Sequence, residues 1–146
     1  MGWLVALAGL FAAMLGQSPA PATGRFAVGQ TWTFLVRPRE PEAMLRIHRI
    51  EPDAAGHLIY HIGVVGYRTP NGAPVDIAHL PVSEATLVQS VRAQPDPRIA
   101  ATLRFLSPDE GIAEWRRAKG GVFTQSMAGV LATIADAIDG PGAAVH

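Results

Sequence analysis

The chain has 146 residues, with 12 basic and 12 acidic side chains, five histidines and no cysteine. A chain of this length is expected to form one domain with one core. A formal net charge of zero disfavours a nucleic-acid binder, which normally carries a basic surplus. The lack of cysteine excludes disulfides, zinc ribbons and thiol catalysis. No phosphate-binding loop, G-x-S-x-G or H-E-x-x-H motif is present, so the sequence indicates no enzyme class and no cofactor.

Residues 1–22 are predicted to be a secretory signal peptide. The apolar run 3–15 is shorter than the roughly 20 residues that a membrane-spanning helix needs, and it matches the apolar region of an export signal. The following stretch ends Ala20-Pro21-Ala22, which predicts cleavage after Ala22 and a periplasmic or secreted mature chain. No lysine or arginine precedes the apolar run. Two alternatives therefore stay open: this segment anchors the chain in the membrane, or the protein is cytoplasmic with a misassigned start.

The first half of the mature chain predicts an antiparallel meander of about four strands. Apolar and polar residues alternate with the period of a strand, and turn signals separate the alternating segments. Strands are predicted over residues 26–36, 44–51, 57–67 and 75–80. In the third strand Tyr60 and Ile62 share one face, while His61 and Gly63 share the other. Gly63 and Gly66 indicate a bulge or a close approach to the backbone, at a place where a helix packs tightly against the sheet.

The second half predicts three to four helices. Their starts are expected at Ser83, Asp96, Ser107 and Thr124 or Ser126, whose side chains can accept hydrogen bonds from a first helical turn. The first helix is expected to run to about Gln94. The second is expected to present Ile99, Leu103 and Leu106 as an apolar face, and the third to bury Ile112 and Trp115. Strands followed by helices give an α+β domain over residues 23–140, with the helices packed on one face of the sheet. Residues 141–146 are expected to form a disordered tail.

An ordered set of short motifs resembles a family of small bacterial proteins. The set comprises Gly29-Gln30-x-Trp32, Arg37-Pro38-x-Glu40, His61-Ile62, His79-Leu80-Pro81-x-Ser83, Glu114-Trp115-Arg116 and Gly120-Gly121-Val122-Phe123-Thr124. The resemblance covers about residues 26–138 and implies the same order of strands and then helices. That family is uncharacterised, so the resemblance implies no activity, cofactor or partner. The leader and the stretch 95–106 depart from the family's pattern.

Three histidines lie on predicted strands and could converge. His48, His61 and His79 belong to different strands, and neighbouring strands of a sheet are about 4.8 Å apart. Three imidazoles would suit a catalytic zinc ion with an open fourth position. However, no two of them follow H-x-H or H-x-x-x-H spacing, and His48 is expected to face solvent beside Arg46. A structural histidine on a sheet face is ordinary, so we predict no metal site.

The candidate catalytic residues are His79, Ser83 and His61. A hydrolase needs an imidazole to take the proton from a nucleophilic hydroxyl group. Ser83 is already explained as a helix cap, and no glycine pattern typical of an oxyanion hole flanks it. A small envelope hydrolase or metal-dependent enzyme is therefore the alternative hypothesis, and a non-enzymatic protein is preferred.

The candidate binding residues are Arg37, Arg39 and Trp32. Arginine and tryptophan are enriched where interfaces concentrate their binding energy. The same loop can equally be a solvated hairpin whose arginines pair with Glu40 and Glu42. The sequence as a whole favours a small exported protein that binds a protein or an envelope component. It favours no nucleic-acid partner and no stable membrane span once the leader is removed.

Overall fold

The computed structural model describes residues 25–139. The predicted leader (residues 1–22) and the predicted tail (residues 141–146) lie outside the described residues. The strands are β1 Thr31–Phe34, β2 Ala43–Pro52, β3 Leu58–Arg68 and β4 Pro74–Ser83. The helices are α1 Glu84–Ser90, α2 Pro97–Thr102, α3 Asp109–Arg117 and α4 Met127–Asp139. The predicted α+β class, with strands first and helices after, is confirmed.

The four strands form one antiparallel sheet in the order β1-β2-β3-β4. Each strand pairs with the next one along the chain, because the connections are turns or short loops. In the turn between β2 and β3, the Asp53 carboxylate accepts hydrogen bonds from the N–H groups of Ala55 (2.8 Å) and His57 (2.9 Å). Gly56 has a φ of 89° there, in the left-handed region that favours glycine. The predicted meander is therefore confirmed.

The first face of the sheet carries the main core. Tyr60, Ile62 and Val64 alternate along β3 and are fully buried, as the period of the strand predicts. Helices α1 and α4 cover this face, and the Tyr67 hydroxyl donates to the Leu131 carbonyl of α4 at 3.2 Å. The fully buried core side chains include Phe34, Leu45, Ile47, Tyr60, Ile62, Val64, Val82, Leu87, Met127, Val130 and Leu131.

Helix α3 lies on the opposite, second face. This differs from the sequence prediction, in which all helices pack on one face of the sheet. His61 and Gly63 alternate with the core residues of β3, so they belong to the second face. A Cβ atom built on Gly111 of α3 would lie 2.6 Å from the Cβ of His79, so this helix touches that face. The second face also carries the buried residue Ile59. Because α1 and α4 cover the first face, the buried residues of the second face need a separate covering layer, and α3 contributes to it.

Helix α1 ends earlier than predicted, at Ser90 rather than near Gln94. The chain after it turns extended and runs beside the outer edge of β1. The Thr33 N–H donates to the Ala93 carbonyl at 2.7 Å, and the Arg92 N–H donates to the Thr33 carbonyl at 2.8 Å. The outer edge of β1 thus pairs with Arg92 and Ala93 through one donated and one accepted hydrogen bond. This pairing needs extended backbone, so the helix ends before these residues.

The stretch 95–117 differs from the sequence prediction in two details. Ile99 and Leu106 were expected on an apolar helix face, but they are 51% and 50% exposed. Ser107 was expected to cap α3, but its hydroxyl accepts only from Asp109 N–H (3.3 Å), and Pro108 occupies the N-cap position. The predicted burial of Ile112 is confirmed.

Candidate functional site

The second face of the sheet gathers three histidines, which we call the histidine face: His48 on β2, His61 on β3 and His79 on β4. Their strands are adjacent, and each residue alternates with a buried core residue of the first face. The three histidines therefore lie on one face of the sheet, which the sequence predicted as a possibility. Segment 105–117, which contains Phe105 and α3, lies over these rings and is called the cover.

His61 and His79 are in direct contact. His61 Nδ1 lies 2.8 Å from His79 Nε2, and the two rings stack with their planes 22° apart. His61 is fully buried, whereas His79 is half-buried. A hydrogen bond between two imidazole nitrogens needs one donor and one acceptor. The pair is therefore compatible with two neutral rings or one charged ring, but not with two charged rings.

Glu51 sets the orientation of the pair. Its Oε2 lies 3.4 Å from His61 Nε2, and its Oε1 accepts from Arg116 Nη2 at 2.5 Å. The first contact is within ion-pair range but lacks good hydrogen-bond geometry, so His61 Nε2 has no hydrogen-bond partner among the described residues. A carboxylate facing Nε2 favours the proton on that nitrogen. Nδ1 of His61 then accepts from His79 Nε2–H, which leaves His79 Nδ1 as a bare acceptor.

Burial keeps the three histidines neutral near neutral pH. It lowers the pKa of His79 to about 4, and the neighbouring His61 and His48 add to this effect. Burial also lowers the pKa of His61, against the opposing effect of Glu51, and it lowers the pKa of His48. Burial alone would raise the pKa of Glu51, but the hydrogen bond from Arg116 and the neighbouring His61 ring hold that pKa below its usual value.

His48 does not face solvent as predicted. Its ring packs edge-on against Phe105, with centroids 6.1 Å apart, and lies over Gly63. A Cβ on Gly63 would lie only 2.7 Å from His48 Nε2, so the missing side chain makes room for the ring. His48 Nε2 is buried and has no hydrogen-bond partner among the described residues. The predicted close approach at Gly63 is confirmed, and a side-chain ring makes it.

Trp115 of the cover contacts the rings of both His61 and His79. Its ring packs edge-on against His61 (centroids 5.0 Å apart) and against His79 (6.4 Å). Its Nε1–H donates to the Gly121 carbonyl at 2.9 Å, which fixes the indole ring. A Cβ on Gly120 would lie 2.4 Å from Trp115 Cδ1, so the glycine after α3 allows this packing. The sequence predicted Trp115 on the buried face of α3 but did not link it to the histidines.

The described side chains of the histidine face are not arranged as a metal site. Among residues 25–139, no group of three His, Asp or Glu side chains has the arrangement of a metal site. His61 directs Nδ1 to His79 and Nε2 to Glu51, so a metal would have to displace one of these neighbours. The chain of contacts Glu51–His61–His79 resembles the way a carboxylate orients a histidine base.

Ser83 lies apart from His79 and is engaged at the start of α1. It lies four residues beyond His79 on β4, which is about 13 Å at roughly 3.3 Å per residue. Its hydroxyl accepts a hydrogen bond from Thr86 N–H at 3.1 Å and lies 3.2 Å from the Thr86 hydroxyl. The predicted N-cap role of Ser83 is therefore confirmed. Of the three candidate catalytic residues, the structure brings together His61 and His79.

Arg37 and Arg39 occupy the β1–β2 loop in different ways. Arg37 Nε donates to Glu40 at 2.9 Å, its Nη2 donates to the Arg68 carbonyl at 2.5 Å, and its guanidinium lies 5.9 Å from the Tyr67 ring centroid. These contacts tie the loop to β3, so Arg37 is engaged within the chain. Arg39 is exposed and adopts a φ of 70°.

Trp32 lies in the core and not on the loop surface. Its side chain is 7% exposed, and its Nε1–H donates to Gln30 Oε1 at 3.1 Å. The structure therefore does not place Trp32 beside the loop arginines as one exposed surface. Glu42, which the sequence paired with those arginines, instead contacts Arg92 at 2.7 Å.

A groove lies beside β1, and we call it the edge groove. It was not among the features predicted from the sequence. Its volume is about 460 Å³. Arg46 closes its base: Nε donates to the Thr31 hydroxyl (3.0 Å), Nη2 donates to the Ala100 carbonyl (2.9 Å), and the guanidinium lies 4.3 Å from the Phe105 ring centroid. The lining consists of Val28, Gly29, Gln30, Thr31, Arg46, Gln94, Pro95, Pro97, Ala100 and Ala101. No sequence pattern connects Arg46 with α2, some 50 residues later, so local signals could not reveal the groove.

The backbone edge of β1 faces the edge groove at Thr31. Backbone groups alternate in direction along an antiparallel strand, so the N–H and C=O of Thr31 point the same way as those of Thr33. Those of Thr33 pair with Arg92 and Ala93 on the side away from β2. Beyond Ala93 the chain diverges through Pro95 and lines the groove.

Comparison with protein-family models, with curated proteins and with solved structures finds no match to this chain. The resemblance to a family of small bacterial proteins stays a prediction. Within residues 25–139, no helix has both the length and the apolar character needed to cross a membrane.

Proposed function

We propose that this chain is a small, exported, non-enzymatic protein that binds an extended segment of a protein partner in the edge groove. The observation that carries this proposal is the groove itself, which combines a strand edge, one cation and an apolar wall. An extended peptide can add to an exposed sheet edge by backbone hydrogen bonds, with pockets for its side chains. Thr31 supplies the backbone groups of that edge, although the residue is only 5% exposed, so a peptide would have to enter the groove to reach them. The apolar wall consists of Pro95, Pro97, Ala100 and Ala101.

Charge favours a partner segment that carries a carboxylate. Arg46 is the charged residue among the described groove residues, and no acidic side chain accompanies it there. Two of its nitrogens are engaged by Thr31 and the Ala100 carbonyl, so its orientation is already set before a ligand arrives. A pre-oriented guanidinium costs little entropy when it binds a carboxylate.

The roles of the candidate catalytic residues support a non-enzymatic function. Ser83 caps α1, and His79 has a pKa of about 4, so it would be a weak base at neutral pH. The hydrolase alternative draws on one specific observation, the 2.8 Å contact between His61 and His79. It lacks a hydroxyl nucleophile at that contact among the described side-chain hydrogen bonds.

The test is selection of linear peptides from a random display library on the full chain, followed by calorimetry with each enriched peptide. Ala101→Trp places a large ring in the groove from an exposed position of α2, and Ala113→Trp makes the same change on exposed α3, away from the groove. We expect enriched peptides to lose at least tenfold in affinity, about 1.4 kcal/mol, with Ala101→Trp and to bind Ala113→Trp normally. Failure to enrich any peptide, or equal binding to both variants, would overturn the proposal.

A further inference from the structure

Every ring of the histidine face touches the cover. Phe105 packs on His48, Gly111 lies against His79, and Trp115 packs on both His61 and His79. The cover and the three imidazoles therefore form one contact layer, separate from the first-face core. Any change in the charge of these rings acts directly on the groups that hold the cover in place.

Protons on these rings would break the contacts that the structure contains. Two charged imidazoles would face each other across 2.8 Å with two donors and no acceptor. A proton on His48 Nε2 would be buried with no acceptor among the described residues. Burial of an unpaired charge is strongly unfavourable. A second proton on the His61–His79 pair and a proton on His48 are therefore disfavoured while the cover is closed.

The surrounding charges do not compensate for added protons. The charged groups that face the three rings are Arg46, Arg49 and Glu51 of β2 and Asp109 and Arg116 of α3. They amount to three cations and two anions, and Glu51 is already engaged by Arg116. A further positive charge on the rings thus enters surroundings with an excess of cations.

We propose that segment 105–117 is an acid-sensitive cover, and that protonation of the histidine face releases it from the sheet while the first-face core stays closed. Release would present Trp115, His79 and the second face of the sheet to solvent. The cover is suited to local opening because α3 buries Ile112 alone among its own residues, and Gly120 and Gly121 follow the helix.

The sign of the pH dependence follows from the direction of the shifts. The pKa values of His48, His61 and His79 are lowered in the closed form and return toward about 6.5 when the rings meet water. The open form therefore binds protons more tightly, so its share grows as the pH falls below about 6.5 toward 4. Each proton taken up on opening raises the open population up to about tenfold per pH unit.

The first test is hydrogen exchange of the full chain by mass spectrometry at about pH 7 and about pH 5, corrected for the intrinsic exchange rates. We expect the amides of α3 to lose at least tenfold in protection at the lower pH, while those of β3 keep theirs. His79→Gln keeps a donor for His61 but cannot be charged, so this acid response should shrink by at least tenfold. His57→Gln is the matched control, because that side chain is 82% exposed in a turn, and it should respond as the natural chain does.

A second measurement keeps the proposal testable even if His79→Gln does not fold. In the natural chain, NMR titration should show the three rings of the histidine face charging together with the loss of α3 protection, below the ordinary histidine pKa of about 6.5. Three results would overturn the proposal: ordinary titration of the rings with α3 still protected, loss of protection in α3 and β3 together, or protection of α3 restored at about pH 5 by one equivalent of Zn²⁺. The last result would identify a metal site in place of an acid-sensitive cover.

Discussion

At the scale of single residues, glycine decides where the histidines go. A side chain at position 63 would occupy the space of the His48 ring, and one at position 111 would collide with His79. Both glycines lie in regular elements, where glycine is less favourable than alanine by roughly 0.5–1 kcal/mol. The packing of the imidazole rings is the physical reason that glycine fits at these two positions.

Gly111→Ala is expected to destabilise the protein despite its better helix propensity. The new Cβ would lie 2.6 Å from the Cβ of His79, which belongs to a strand and cannot yield as a flexible side-chain end can. Overpacking of this kind costs about 1–3 kcal/mol, more than the helix propensity returns. Urea denaturation should show this loss. Gly129→Ala, whose Cβ meets the flexible Gln125 side chain at 3.0 Å in α4, is the control and should leave stability equal or higher. An unchanged or raised stability for Gly111→Ala would contradict the contact between α3 and β4.

At the scale of elements, the starts of α1 and α2 follow from their capping residues in the sequence, whereas the end of α1 does not follow from a local signal. Ser83 accepts from Thr86 N–H, and Asp96 accepts from Arg98 N–H at 2.8 Å, as their residue types predict. The end of α1 depends on pairing with Thr33, which lies about 60 residues earlier in the chain. A helix cap depends on a hydrogen bond between residues close in the chain, whereas the end of α1 depends on a contact between residues far apart in the chain.

Ser83→Ala is expected to lower the stability of the protein by about 0.5–2 kcal/mol, because Thr86 N–H loses its acceptor at the start of α1. Ser83→Asp should keep most of the stability, since aspartate caps helices about as well as serine. Thermal unfolding of the three proteins measures the difference. If instead Ser83→Ala unfolds like the natural chain while removing an ester-hydrolysing activity, Ser83 would be a nucleophile and the hydrolase alternative would replace the proposed binding function.

At the scale of the whole molecule, the sheet is covered on both faces. The first-face core with α1 and α4 is apolar, and the second face carries the histidines under α3. The proposed acid response belongs to this polar layer, because burial there lowers the pKa values of all three rings. An exported protein would meet the pH of its surroundings directly, so the acid-sensitive cover and the proposed location are compatible.

Export predicts that expression of the full 146-residue chain in a bacterial host yields a periplasmic or secreted species that begins at Thr23. Intact-mass analysis of the cell fractions measures this directly. Leu10→Arg places a charge in the apolar run and should keep the uncleaved chain in the cytosol. An uncleaved natural chain in the membrane fraction would instead identify residues 3–15 as an anchor, and an uncleaved chain in the cytosol would favour a misassigned start.

Local sequence signals are enough to predict the α+β class, the meander, the two faces of β3 and the cap at Ser83. These features depend on the period of side chains along a strand and on hydrogen bonds between residues close in the chain. Contacts between distant parts of the chain place α3 on the second face, bring His61 and His79 to 2.8 Å, bury Trp32, and join Arg46 to Ala100 beside a groove. Such contacts join residues far apart in the chain, and their energies depend on packing that no local pattern records.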